Sequence, residues 1–134
     1  MNDRNDDRMN ERRSLFEKFP DHTVEFEPNP RAVRVELAGE PVAESTRSIF
    51  VNEADYPAVV YIPEDDVRGD LIEATNHHTF CPFKGEASYW TLRVGDIVEE
   101  NVLWSYPEPF EEVAWLEGLM AFYTDRVELK IADD

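Results

Sequence analysis

The stretch Arg31-Ala32-Val33-Arg34-Val35-Glu36-Leu37-Ala38-Gly39-Glu40-Pro41-Val42-Ala43-Glu44-Ser45 decides the fold class. Val33, Val35 and Leu37 fall on one face of an extended chain, with Arg34 and Glu36 on the other, and that alternation belongs to a half-buried strand. Ala38-Gly39-Glu40-Pro41 supplies turn residues, and residues 42–45 begin a return strand. Outward from this hairpin the pattern repeats. Residues 48–52 and 58–62 read as two short strands, β-branched and aromatic, separated by 53–57. Trp90, Leu92 and Val94 share a face before Gly95-Asp96, a hairpin turn. Residues 98–106 follow, with Val102, Trp104 and Tyr106 on one side, and Pro107 and Pro109 end the strand. Residues 110–121 read as a short helix or irregular turn, and residues 126–131 alternate again through Val127, Leu129 and Ile131. One segment departs from this pattern. Val67, Leu71 and Ala74 recur at i, i+4 and i+7, with Glu64, Asp65 and Asp66 at the start, where a helix dipole favours negative charge. That spacing predicts a helix over residues 64–76, with Asp65 and Asp66 as capping charges. The expectation is a mainly β, compact, barrel-like domain of antiparallel sheets with one short α-helix.

A chain of 134 residues is one domain. Residues 1–19 are polar and charged and read as a mobile arm with a helical turn near 13–19; residues 20–134 form the β-rich domain. No run approaches the ~18 apolar residues of a membrane helix, so no membrane partner is expected. The polar residues 1–11 speak against a secretory signal. A single cysteine makes no internal disulfide, which fits a cytoplasmic home. The net charge is −17, with only Lys18, Lys84 and Lys130 as lysines. Such a surface suits a high-salt interior, where dense carboxylates stay hydrated and salt screens self-repulsion. It offers no basic face for a phosphate backbone, which excludes nucleic acid as a broad partner.

The chemistry-bearing residues gather in residues 77–89. His77, His78, Cys81, Lys84 and Gly85 fall close together around a Pro and a Gly. Cys81 with His78 or His77 has the makings of a nucleophile and base, a thiol whose reactivity depends on a lowered pKa; equally, a lone cysteine packs as a small hydrophobe. Lys84-Gly85 offers an ammonium and an approachable backbone N–H to an anion, or else a turn whose lysine pairs with a carboxylate. Tyr61, Tyr89, Tyr106 and Tyr123 add phenols to an aromatic wall, whereas Trp90 and Phe122 read as core. Adjacent histidines point apart and no Cys-x-x-Cys pair exists, so no metal is expected, and no motif calls for a cofactor.

Several pieces in order resemble a known family. They are Gly39-x-x-Val42-Ala43-x-Ser45, Tyr61-x-Pro63-x-x-Asp66-Val67, Thr79-x-Cys81-Pro82-x-Lys84-Gly85-x-Ala87-x-Tyr89, Trp104-x-Tyr106 followed by Pro109, and Gly118-x-x-Ala121-Phe122-Tyr123. Over residues 31–131 the chain resembles the family called domain of unknown function 427, with Phe83 where many relatives have Tyr and Glu44 where Asp is common. The resemblance implies a compact, mostly β fold with one helix and an unassigned activity. The family has carried a nucleotidyltransferase-like label. This chain has no Gly-Ser with a spaced Asp pair for two-metal phosphoryl transfer, no P-loop and no Gly-x-Gly-x-x-Gly.

Three functions follow from these residues. The first is a module binding a small polar or weakly anionic molecule at residues 79–89 through Lys84, Gly85, Tyr89, Tyr61, Tyr106 and Tyr123. The second is an enzyme or redox protein acting through Cys81, with His78 as base. The third is a homodimer built on residues 110–123. The charge makes its own prediction. The thermal unfolding midpoint should rise from near-zero to molar salt as screening relieves the self-repulsion; a midpoint that stays flat or falls across that range would refute halophilic behaviour.

Overall fold

The computed structural model describes residues 13–133. Its strands, in chain order, are β1 (Val24–Pro28), β2 (Val33–Leu37), β3 (Glu40–Ser45), β4 (Ile49–Glu53), β5 (Val59–Pro63), β6 (Ile72–Cys81), β7 (Gly85–Val94), β8 (Ile97–Ser105), β9 (Leu119–Phe122) and β10 (Glu128–Ile131). They form two antiparallel sheets. One has seven strands in the order β1-β4-β5-β9-β8-β7-β6, and the other has three in the order β10-β2-β3. Among the described residues neither sheet closes on itself, so the fold is mainly β without a closed barrel. Among the described residues no helix is long and apolar enough to cross a membrane.

The alternating segments fold as their periods require. Val33 and Val35 point into the core, while Arg34 lies in solvent. Ala38 and Gly39 both take positive φ, +53° and +82°, as a tight two-residue turn demands. β1 was not evident in the sequence. Glu25, Glu27 and Pro28 make it read as solvent-facing chain, and it is indeed an exposed edge held by its ladder to β4.

The predicted helix over 64–76 is a correction. The segment forms two single 3-10 turns, Glu64–Asp66 and Gly69–Leu71, and then enters β6. The cause is tertiary. Asp66 accepts hydrogen bonds from Ser45 Oγ at 2.6 Å and from Arg47 at 3.0 Å, so it anchors to the end of β3 and its neighbourhood and caps no helix. The Arg68 N–H donates to the Val42 carbonyl, and Val67 bridges Ala43. These bonds hold the chain extended along β3. Residues beyond Leu71 pair with β7 and forgo helical bonds. Residues 110–121 likewise hold a 3-10 segment, Glu111–Leu116, before β9.

Two apolar layers result. In one, Val33, Val35 and Val42 of the small sheet pack on Ile62, Leu92, Leu103, Met120 and Phe122 of the large one. In the other, Val24, Val51, Tyr61, Ala87, Tyr89 and Ala121 of the large sheet meet one another, with Tyr106 just past β8 and Val113 and Leu116 of the 3-10 segment among them. The predicted arm over 1–19 lies partly outside the described residues. Its described end forms the turn expected near 13–19: the Phe19 N–H donates to the Leu15 carbonyl, and the Leu15 N–H donates to the Pro82 carbonyl, each at 3.0 Å.

The β6–β7 turn is also pinned at Gly85. Its φ is +118°, and an added Cβ would stand 3.2 Å from the Glu108 carbonyl oxygen. Gly69 has an ordinary φ and nothing near it. Gly85→Ala should therefore cost about 2 kcal/mol or more in denaturant unfolding, and Gly69→Ala should be close to neutral. Equal effects would refute the steric account.

Candidate functional site

Residues 79–89 are the end of β6, a turn at Pro82, Phe83 and Lys84, and the start of β7. Cys81 pairs across the turn with Gly85. It is a half-buried free thiol packed beside the cluster of Tyr61, Tyr89 and Tyr106. The two histidines attend to other groups. The His77 ring lies 4.5 Å from that of Tyr89. His78 Nδ1 lies 3.4 Å from Ser88 Oγ, its cross-strand partner. Among the described residues no group of three or more His, Cys, Asp or Glu is placed to hold a metal ion.

Lys84 is buried, at 8% exposure. Its ammonium forms an ion pair with Glu53 Oε1, at the end of β4. Glu53 Oε2 accepts a second hydrogen bond from His22 Nε2 at 2.8 Å. The His22 ring stacks on Phe83 at 3.7 Å between centroids, and the Tyr106 ring centre lies 6.0 Å from the Lys84 nitrogen. Burial raises the Glu53 pKa, but the hydrogen bonds from Lys84 and His22 outweigh it, so the carboxyl sits below its ordinary 4.5. A carboxylate partner for Lys84 was one of the two readings of this turn; that it is Glu53, shared with His22, was not foreseen. The signal available was the scarcity of lysine: one placed among apolar residues in so acidic a chain needs a nearby carboxylate.

The four tyrosines do come together. Tyr61 accepts the Trp104 indole N–H at 3.0 Å. Tyr89 and Thr79 share a hydroxyl hydrogen bond of 2.9 Å. Tyr123 packs on Trp104 with ring centroids 4.6 Å apart. Burial lifts Tyr61 above its ordinary 10, against the lowering effect of the indole N–H. Burial and the neighbouring Tyr61, Cys81 and Tyr89 lift Tyr106. Tyr123 is pushed up to about 12 by burial and by Tyr89. Tyr61, Tyr106 and Tyr123 therefore remain protonated at neutral pH. Gly85 carries the close crossing of the chain at Glu108 and Pro109.

A cleft of about 460 Å³ lies across β6, β7 and β8. His78, Ser88 and Ser105 are cross-strand neighbours, so their side chains form one row on one face. Trp90 belongs to the same face, with its indole N–H directed at Ser105 Oγ at 3.4 Å. Tyr89, Tyr106, Glu64 and Glu117 also line it. Trp90 packs against the core, as the sequence reading had it, while also lining the cleft; that reading passed over Ser88 and Ser105. Alternation along β7 was the missed signal, since it sets Ser88 and Trp90 opposite Tyr89. A groove of about 540 Å³ beside the small sheet is lined by Arg34, Arg47 and Lys130, but carboxylates neutralise these cations: Glu36 holds Arg34 and Lys130, and Asp66 holds Arg47.

Glu53 gives the sharpest test of the buried cluster. Its folded-state pKa lies below the ordinary value, so its contribution is complete above about pH 4.5 and is lost as pH falls through the folded-state value. Glu53→Gln should cost about 2–4 kcal/mol at neutral pH, and the gap to the wild type should narrow on acidification below pH 4.5. A gap that does not change with pH would show that the charge of Glu53 contributes nothing.

No curated protein matches the chain. A family model described as a domain of unknown function (DUF427) matches residues 25–133, which takes in every strand but the first residue of β1. The pieces at Gly39, Tyr61, Thr79 through Tyr89, and Gly118 all fall within it, and on that match the chain belongs to the DUF427 family.

Proposed function

We propose that the protein is a binding module for a small polar molecule, neutral or cationic, held in the cleft across β6, β7 and β8. The observation that carries this is the row of His78, Ser88 and Ser105 in cross-strand register beside the Trp90 indole. An imidazole and two hydroxyls give and accept hydrogen bonds from a rigid sheet, and an indole supplies a flat apolar wall. The cleft volume of about 460 Å³ falls in the usual range for small-molecule sites, about 300–1,000 Å³.

Charge sets the ligand class. The sequence pointed to a weakly anionic ligand with Lys84 as its contact. Lys84 is buried against Glu53, whereas Glu64 and Glu117 line the cleft. Two carboxylates beside an indole favour a cation or a neutral hydrogen-bonding group over an anion. A reaction at Cys81 has less support, because both nearby imidazoles engage other side chains.

Amide chemical shifts recorded against a panel of small amines, polyols and carboxylates test the reading. Amines or polyols should shift Ser88, Trp90 and Ser105, and Trp90→Ala should weaken binding by about tenfold. Glu117→Gln should weaken the amines selectively. Carboxylates binding best, or shifts confined to other surfaces, would refute the proposal.

A further inference from the structure

β5 and β9 pair at Ile62 with Met120 and at Pro63 with Leu119. Continuing that register would set Val60 opposite Phe122 and Val59 opposite Tyr123. All four instead line a cleft of about 530 Å³, so the strands part beyond their last pair. This cleft shares no lining residue with the one across β6, β7 and β8. Tyr123 is 39% exposed. It meets Trp104 with ring centroids 4.6 Å apart and planes inclined at 49°. At that inclination neither ring covers the other as a parallel stack would, so the two make an aromatic corner. The Trp104 indole N–H is given to the Tyr61 hydroxyl at 3.0 Å, which leaves the π face as what this ring offers the cleft. Val59, Val60 and Leu129 add aliphatic surface, and Asp125 adds a carboxylate. The neighbouring cation, Arg126, is held by Glu99 Oε1 at 2.9 Å and by the Glu100 carbonyl at 2.7 Å. Among the described residues Asp125 takes part in no ion pair.

We propose that this cleft is a second binding site, taking the trimethylammonium head group of a small molecule against Trp104 and Tyr123, with Asp125 balancing its charge. The negative face of an aromatic ring attracts a cation, and indole does so best. A primary ammonium is a compact charge that holds its water strongly and looks for hydrogen-bond acceptors. A trimethylammonium group donates no N–H bond. It spreads its charge over methyl groups, which suit aromatic and aliphatic walls and leave water at little cost. Asp125 excludes anions from the same place by repulsion, and a neutral molecule of the same shape gains nothing from it. The field of a chain of net charge −17 adds to the attraction of any cation. The two clefts therefore select different ligands. His78, Ser88 and Ser105 serve a molecule that exchanges hydrogen bonds, whereas the corner of Trp104 and Tyr123 serves a cation that makes none. Neither site depends on the other.

Titration of the full chain at constant ionic strength tests the site. The probes are choline and its uncharged isostere, in which carbon replaces nitrogen. Choline should shift the Trp104 indole N–H resonance saturably, and the isostere should bind about fivefold more weakly or worse. Tyr123→Leu keeps an apolar side chain and removes the ring; it should weaken choline about tenfold. Asp125→Asn should weaken choline about threefold and leave the isostere unchanged. Both positions are exposed, so both variants should fold, with circular dichroism as the check. A peptide bearing trimethyl-lysine, titrated alongside, separates the sources of the head group. It should bind no more tightly than choline, and much tighter binding would overturn the small-molecule source. The site itself is overturned if choline leaves the Trp104 signal unmoved, or if the isostere binds as well as choline. It is also overturned if choline binding survives Tyr123→Leu and is lost in Trp90→Ala, which would place the cation in the cleft across β6, β7 and β8.

Discussion

The ion pair between Glu53 and Lys84 sets the shape of the large sheet. Glu53 ends β4, and Lys84 immediately precedes β7. Four strand spacings separate β4 from β7 in the sheet order, about 19 Å if the sheet were flat. Two side chains do not bridge that distance, so the sheet curls to bring its ends together. Val51, Tyr61, Tyr89 and Tyr106, on strands spread across the sheet, meet inside the curl. His22 adds the other oxygen of Glu53 to the clamp, and its stacking on Phe83 ties the chain before β1 to the same turn. A buried charge left without its partner is expensive, so the three groups specify one another.

The curl leaves the two faces with different chemistry. The inner face collects phenols and the thiol, with Tyr61 and Tyr106 kept protonated by burial and Tyr89 bonded to Thr79; Tyr89 and Tyr106 also reach the wall of the cleft. The opposite face, where β6, β7 and β8 are not covered by the small sheet, carries the imidazole, the hydroxyls and the indole of the cleft. The bulge between Trp90 and Leu92 marks the change along β7 from cleft to core, since Leu92 is fully buried against the small sheet.

Much of this was written in local pattern. The hairpins at 33–45 and 90–106 were legible because alternation and turn residues agree over short range. The segment after Pro63 misled because Val67 and Leu71 suit both a helical stripe and an extended chain with inward residues, and bonds to Ser45 and Val42 decided between them. The aromatic and cysteine residues of the inner face were identified from composition and punctuation. Their organisation was not, since it depends on Glu53 and His22, each many residues from its partner and unremarkable in local context. The cleft residues escaped for a related reason: serines in strands become informative only once register sets them in a row.

The join between β5 and β9 has a further consequence. Ile62 pairs there with Met120 and Pro63 with Leu119, and the Glu64 N–H donates to the Gly118 carbonyl beyond them, while proline donates no backbone hydrogen bond. The β1-β4-β5 and β9-β8-β7-β6 parts of the large sheet thus meet along a short seam. The ion pair of Glu53, on β4, with Lys84, beside β7, is therefore a second tie across the same join, made by side chains where the backbone pairing is brief.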